Sequence, residues 1–313
     1  MYKYSTEDFK HIKTAITLLT SINRGLAKSL TKTYTEESHF TQNETIELFR
    51  DSALALETID FEYAYILMSL AHKLGPNRPF IKRKMDELKN YYTIEKTGIC
   101  KLNGLTLEIG EAPPRQLLKA FVNGNYEKSE VTLLKTFLDH DEIVLEVGAG
   151  IGYMGLVATR LNKYKRYVAY EANPHLIKVI KNNMTHNNAF FEIHQGVLLN
   201  ENRKIPFFIT DAFWASSLLQ PMHQEYKEVI VEGLKKNGIM QQIQPTMLIV
   251  DIEGGEADFF NGLDLSSVTK IILEIHPQVL EDQILNRIYG TLLKEGFLLN
   301  FKVSYKNVIY WYR

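Results

Sequence analysis

Val144-Leu-Glu-Val-Gly-Ala-Gly-Ile-Gly152, continued by Tyr153-Met-Gly-Leu-Val-Ala-Thr-Arg-Leu161, decides how the chain is read. An apolar run holding one acid stops at alternating glycines. It gives way to Met154, Leu156, Val157 and Leu161 at helical spacing. That is a buried strand, a tight turn and a helix. Glycines in such a turn let the backbone approach a ligand that a Cβ would hold off. In open α/β sheets the ligand lies beyond the carboxyl ends of the strands. Gly148, Gly150 and Gly152 are therefore expected to border a site.

Downstream, strand and helix alternate. Strands are predicted at Ile143–Val147, Tyr167–Glu171, Phe190–Gln195, Met247–Asp251 and Lys270–Ile275. Asn173 and Pro174 have the chemistry of an N-cap and a first helical residue. Leu176, Ile177, Ile180 and Met184 follow as one apolar face. This alternation implies parallel strands joined by right-handed helical crossovers. The end differs: Phe297–Val303, a turn at Tyr305-Lys-Asn307 and Val308–Tyr312 predict two closing strands, one antiparallel to the sheet. The expected class is α/β, a Rossmann-like class I methyltransferase fold with a mostly parallel seven-stranded sheet and a terminal antiparallel hairpin.

Upstream the chemistry is helical. Ile46, Phe49, Ala53 and Leu56 form one stripe, and Ala64, Leu67, Ala71 and Leu74 a second, which Gly75-Pro76 stops. Ala64 to Leu88 resembles one tetratricopeptide-like helix pair, too little for a solenoid, which needs about three repeats. A cap or dimerisation arm is the expectation, giving a homodimer through these helices. Tyr92–Ile109, with Gly104 at its turn, predicts a β-hairpin. The expected domains are thus 1–94, helical, and 95–313, α/β with a leading hairpin.

Composition narrows the function. Lys and Arg number 36 against 37 Asp and Glu, so no overall field favours a nucleic acid. A single cysteine, Cys100, excludes an internal disulfide and a cysteine-rich zinc site. The start, Met1-Tyr-Lys-Tyr-Ser-Thr-Glu-Asp8, lacks the apolar core of a signal peptide. No run approaches the ~20 apolar residues that span a bilayer. The expectation is a cytoplasmic protein without a membrane span.

Two ligands suit the glycine turn. Gly150-x-Gly152-x-x-Gly155 satisfies the dinucleotide pattern, and Glu171 follows at about the right distance for NAD. Yet Gly148 comes directly after the strand, so that pattern begins late. Glu146 at the strand end would repel a pyrophosphate and suit the ammonium and sulfonium of S-adenosylmethionine. The second ligand is preferred. Glu171 is then the acceptor for both ribose hydroxyls, with Ala172 beside it and Gly196 and Val197 on the adenine wall. Tyr126 and Glu127 are expected to close over this cofactor.

On these residues the domain resembles the FkbM family of methyltransferases, from about Asn123 to His276. The pieces are Gly124-Asn-Tyr-Glu-Lys-Ser-Glu130, Leu145-Glu-Val-Gly-Ala-Gly-Ile-Gly152 and Tyr170-Glu-Ala-Asn-Pro174. Ala215-Ser-Ser217, Val250-Asp-Ile-Glu-Gly-Gly-Glu256 and Ile272-Leu-Glu-Ile-His-Pro277 complete them, and Asp-Ile-Glu-Gly-Gly-Glu is the most specific. The family's first strand often reads Asp-Val-Gly-Ala-Asn; here Glu146 and Gly150 stand instead. The resemblance implies O-methylation of sugars, glycans or related small molecules.

A neutral hydroxyl gains from a general base. His276 has the intrinsic pKa for it, Asp251 is the acid alternative, and Glu256 is expected to orient either. Glu253, Ser216, Ser217 and Trp214 are the expected acceptor contacts. No metal is required by this reading; a Mg²⁺ site at Asp251, Glu253 and Glu274 is the open variant. The competing functions are an NAD-dependent oxidoreductase and a non-catalytic cofactor-binding scaffold whose helical arm recruits a partner.

Overall fold

The computed structural model describes residues 4–34, 40–110, 113–210 and 226–313. They divide into two compact units: Met1–Gly98 with Arg115–Val122, and Ile99–Pro114 with Asn123–Arg313. No described helix is long and apolar enough to cross a membrane.

The first unit is helical. It comprises α1 (Thr6–Ile22), α2 (Arg24–Tyr34), α3 (Gln42–Leu56), α4 (Phe61–Leu74) and α5 (Pro79–Thr97). Helix starts are chemically marked. Ser5 and Asp8, then Thr41 and Glu44, form capping boxes, and the Asp60 carboxylate accepts from the Tyr63 N–H at 3.0 Å. Both stripes read from the sequence are buried, on α3 and α4. The 94/95 boundary falls inside α5, which runs on to Thr97 because nothing before Gly98 breaks it. A further helix, α6 (Arg115–Val122), packs with this unit. Arg115 there stacks 4.3 Å from the Phe61 ring centre and donates to the Glu57 and Ile59 carbonyls.

The second unit opens with the hairpin β1 (Ile99–Leu102) and β2 (Leu105–Glu108), shorter than the sequence suggested because Tyr92–Thr97 is helical. Then come α7 (Lys128–Phe137), β3 (Ile143–Val147), α8 (Tyr153–Leu161), β4 (Arg166–Glu171), α9 (Pro174–His186) and β5 (Glu192–Gln195). Asn183 of α9, fully buried, donates to the Glu108 and Ile151 carbonyls and so holds both hairpin and glycine turn. The chain continues through β6 (Val197–Leu199), β7 (Arg203–Thr210), β8 (Tyr226–Lys235) and α10 (Lys236–Ile243). It closes with β9 (Met247–Val250), α11 (Glu256–Phe260), β10 (Lys270–Glu274), α12 (Asp282–Lys294), β11 (Leu298–Leu299) and β12 (Val308–Tyr312).

The main sheet has seven strands in the order β11-β12-β10-β9-β3-β4-β5. β10, β9, β3, β4 and β5 are parallel, and β12 runs antiparallel to β10 and β11. This is the expected Rossmann-like sheet with its closing hairpin. β11 is shorter than predicted, two residues, because Phe301–Val303 turns instead of pairing. The sequence did not foresee the second sheet, β6-β8-β7. Its strands lie between the third and fourth strands predicted above, and Pro206 inside β7 disguised one of them.

The main sheet's centre is tight. Gly148 leaves β3 at φ +88°, and a Cβ there would stand 1.6 Å from the Asp251 carbonyl oxygen at the end of β9. Gly124, at φ +68°, has open space around it. Gly148→Ala should therefore cost more than ~4 kcal/mol or prevent folding, beyond backbone strain alone. Gly124→Ala should cost only the left-handed strain, about 1–2 kcal/mol. Urea denaturation of the two variants measures the difference.

Candidate active site

A cleft of about 920 Å³, counting its open mouth, lies at the carboxyl ends of β3, β4 and β9. Tyr126, Glu127, Gly148, Gly150, Glu171, Ala172, Gly196, Val197, Asp251 and Glu253, all named from the sequence, line it. The segment 211–225, with Trp214, Ser216 and Ser217, lies outside the described residues.

Glu171 ends β4 with its carboxylate fixed by backbone. Its Oε1 accepts from the Asn173 N–H at 2.7 Å and its Oε2 from the Gly150 N–H at 2.8 Å. Burial pushes its pKa up to about 7, against the pull of those N–H groups. A carboxylate has about four lone-pair sites, so capacity remains for two ligand hydroxyls. Leu198, Leu199 and Phe207 from the second sheet give the cleft an apolar wall. The donor set and wall fit a nucleoside with a free ribose diol.

Two expected contacts are placed elsewhere. Successive strand residues face opposite sides: Val147 lines the cleft, whereas Glu146 is buried and accepts from the Tyr167 hydroxyl at 3.0 Å. Burial first, then the Glu127 charge, holds its pKa well above the carboxylate range. Glu146 therefore presents no charge to a ligand, and the electrostatic argument made from it does not hold. Gly152 does not line the cleft either; a Cβ there would meet Ile180 at 3.0 Å and Phe191 at 3.3 Å. It is a packing glycine at the start of α8.

At the ends of β9 and β10 the acids and the histidine converge. His276, 3% exposed, has Nδ1 at 2.6 Å from Glu256 Oε1, and Glu256 is fully buried. On its other side Nε2 lies 3.2 Å from Glu253 and 3.5 Å from Asp251. Burial works against its charge, but Glu253, Glu256 and Asp251 outweigh it and raise the pKa to about 11. The ring is an imidazolium at neutral pH with no lone pair to offer, so the base role expected of His276 does not fit. It also lies behind the wall and not on it. Asp251 lines the cleft, and burial with the Glu274 and Glu253 charges raises its pKa well above the usual range.

The Mg²⁺ set changes too. Asp251 and Glu274 come within reach of one ion, but the third member is His276: ligand atoms of these three lie within 4.8 Å of one another. Glu253, at φ +48° in the turn after β9, is not one of these three. Other groups escaped sequence reading. Asp258 and Phe259 line the cleft from α11, and buried Glu130 of α7 hydrogen-bonds Glu274. Their signal was an acid or aromatic on a helix, indistinguishable from a surface or core residue until the helix is placed.

The methyltransferase FkbM domain profile matches residues 146–299. No curated protein matches the chain. Among solved structures, a methyltransferase from Pyrococcus furiosus is 15% identical, with 74% of this chain and 98% of that one covered and a TM-score of 0.39. Methyltransferase FkbM from Methylobacillus flagellatus KT is 11% identical over 74% of this chain and 60% of its own, at 0.39. A precorrin-6y C5,15-methyltransferase from Geobacter metallireducens GS-15 is 19% identical over 59% and 85%, at 0.35. The domain match runs from the glycine turn through both acidic strand ends, and over these residues the chain is similar to the FkbM methyltransferase domain.

Proposed function

We propose that the protein is an O-methyltransferase acting on a hydroxyl of a sugar, glycan or related small molecule. The observation that carries the reading is Asp251. It lines the cleft beside the glycine turn; its buried Oδ1 faces His276 Nε2 at 3.5 Å, while the rest of a one-third exposed carboxylate is open to an acceptor hydroxyl.

Glu171 would hold the ribose of S-adenosylmethionine, and Gly148, Gly150, Gly196 and Val197 would border it. When bound, this cofactor supplies an electrophilic methyl group. The protein's part is to align the acceptor oxygen and to take its proton on Asp251. A carboxylate with a raised pKa is a stronger base than an ordinary one. His276 is a positioning residue: its positive charge keeps Asp251 ionised more readily, and Glu256 fixes the ring. Glu253, beside Asp251, is the acceptor contact we retain. An oxidoreductase reading has no support in the domain match. A scaffold would leave this buried charge cluster without a use.

Calorimetry tests the donor half. S-adenosylhomocysteine should bind the wild type, and Glu171→Ala should weaken it roughly 30- to 100-fold, the worth of charge-assisted hydrogen bonds. Glu171 is a neutral carboxyl below about pH 7 and a carboxylate above it. Wild-type affinity should therefore rise with pH through that value, and Glu171→Gln should flatten the dependence.

Turnover with a sugar panel tests the chemical half. Asp251→Asn should lower kcat by about 10²- to 10⁴-fold with a small change in KM; an unchanged kcat removes Asp251 as base. His276→Gln should move the acidic limb of the kcat profile to higher pH, because Asp251 loses the imidazolium that lowers its pKa. The same variant should lose about 3 kcal/mol of stability. That contribution is present in full below pH 6.5 and disappears as pH rises through about 11.

A further inference from the structure

The cleft is more acidic than its methyl donor requires. Besides Glu171, which the ribose would occupy, Glu127, Asp251, Glu253 and Asp258 line it, and no lysine or arginine stands among the described lining residues. Behind that wall lie Glu130, Glu256 and Glu274. The cation facing them, His276, is already shared by Asp251, Glu253 and Glu256. Lys236 reaches this region only to donate to the Asp258 and Asn261 carbonyls. S-adenosylmethionine carries a sulfonium, an ammonium and a carboxylate, so it balances one of these acids and leaves the rest.

One further observation asks for positive charge. Glu256 Oε2 is a carboxylate oxygen without a hydrogen-bond donor on a fully buried side chain, and Asp251 Oδ1 has His276 Nε2 no closer than 3.5 Å. Such atoms cost their full desolvation unless a donor arrives. Burial and the Glu130 charge also push Glu127 up to about 8.

We propose that the methyl acceptor is a cationic amino alcohol, an amino sugar being the sugar form of this class. Its protonated amine is held by Asp251, Glu253 and Glu127 beside the hydroxyl that is methylated. The same charges exclude acceptors bearing a phosphate or carboxylate, nucleic acids and sugar phosphates among them. This assignment rests on the methyltransferase reading above.

The test is calorimetric titration of the protein saturated with S-adenosylhomocysteine, in two buffers of different ionisation heat, with EDTA present. The probes are glucosamine, ethanolamine, N-acetylglucosamine and glucose 6-phosphate. Both amines should bind and release protons to the buffer. N-acetylglucosamine should bind at least about tenfold more weakly, the loss of one buried charge pairing, and glucose 6-phosphate should not bind. Glu253→Gln, checked for folding by its own S-adenosylhomocysteine titration, should weaken the amines by about tenfold. Failure of both amines to bind a complex that holds S-adenosylhomocysteine overturns the assignment. Equal binding of the neutral or phosphorylated sugar does the same, as does amine binding that appears only with Mn²⁺. A protein that fails to bind S-adenosylhomocysteine at all overturns the underlying methyltransferase reading instead.

Discussion

The ends of β3 and β9 approach so closely that a single methyl group cannot stand between them. Gly148 occupies the gap, its N–H bonded to the Tyr170 carbonyl at 2.9 Å, while the Asp251 N–H donates to Val147 at 3.0 Å. From this contact the rest follows. It brings Asp251 beside the glycine turn, aims Gly150 at Glu171, and opens the cleft between turn and strand end. Any side chain at Gly148 would separate the two strands and with them the two halves of the site.

Charge is the second organising element. Burying one carboxylate is costly; burying several together is tolerated only with protons or a counter-charge. His276 supplies that counter-charge from inside the protein, held by Glu256 at 2.6 Å and turned toward Asp251 and Glu253. A histidine so placed gives up proton-accepting chemistry in return for a fixed positive charge. In the mechanism proposed above the base is then a neighbouring carboxylate, and the site's pH response belongs to the acids and not to the imidazole.

The sheet was legible where burial is two-sided. β3, β4, β9 and β10 read directly because continuous apolar runs end in glycines or acids, and the closing strand β12 read from its aromatics. The second sheet was not, because β7 and β8 alternate charged and apolar residues irregularly around Pro206. Sequence spacing brought Glu171, Asp251, Gly148 and Gly150 to one cleft, since the strand ends lie side by side. It could not say which side of β3 Glu146 faces, nor that Gly152 serves packing. His276 was found but misjudged: its intrinsic pKa was readable, whereas the three carboxylates around it are gathered only by the fold.

The second sheet has a consequence of its own. Leu198 and Leu199 reach the cleft from β6 and Phe207 from β7, not from the parallel sheet that carries the glycine turn. One face of the cavity is thus supplied by a segment that enters after β5 and leaves before β9. Lineages can rewrite that segment, lengthening its strands or exchanging its aromatics, while the donor-side backbone stays untouched. The cavity's apolar wall and its glycine turn are on separate stretches of chain, so the wall can change without disturbing the backbone of the turn.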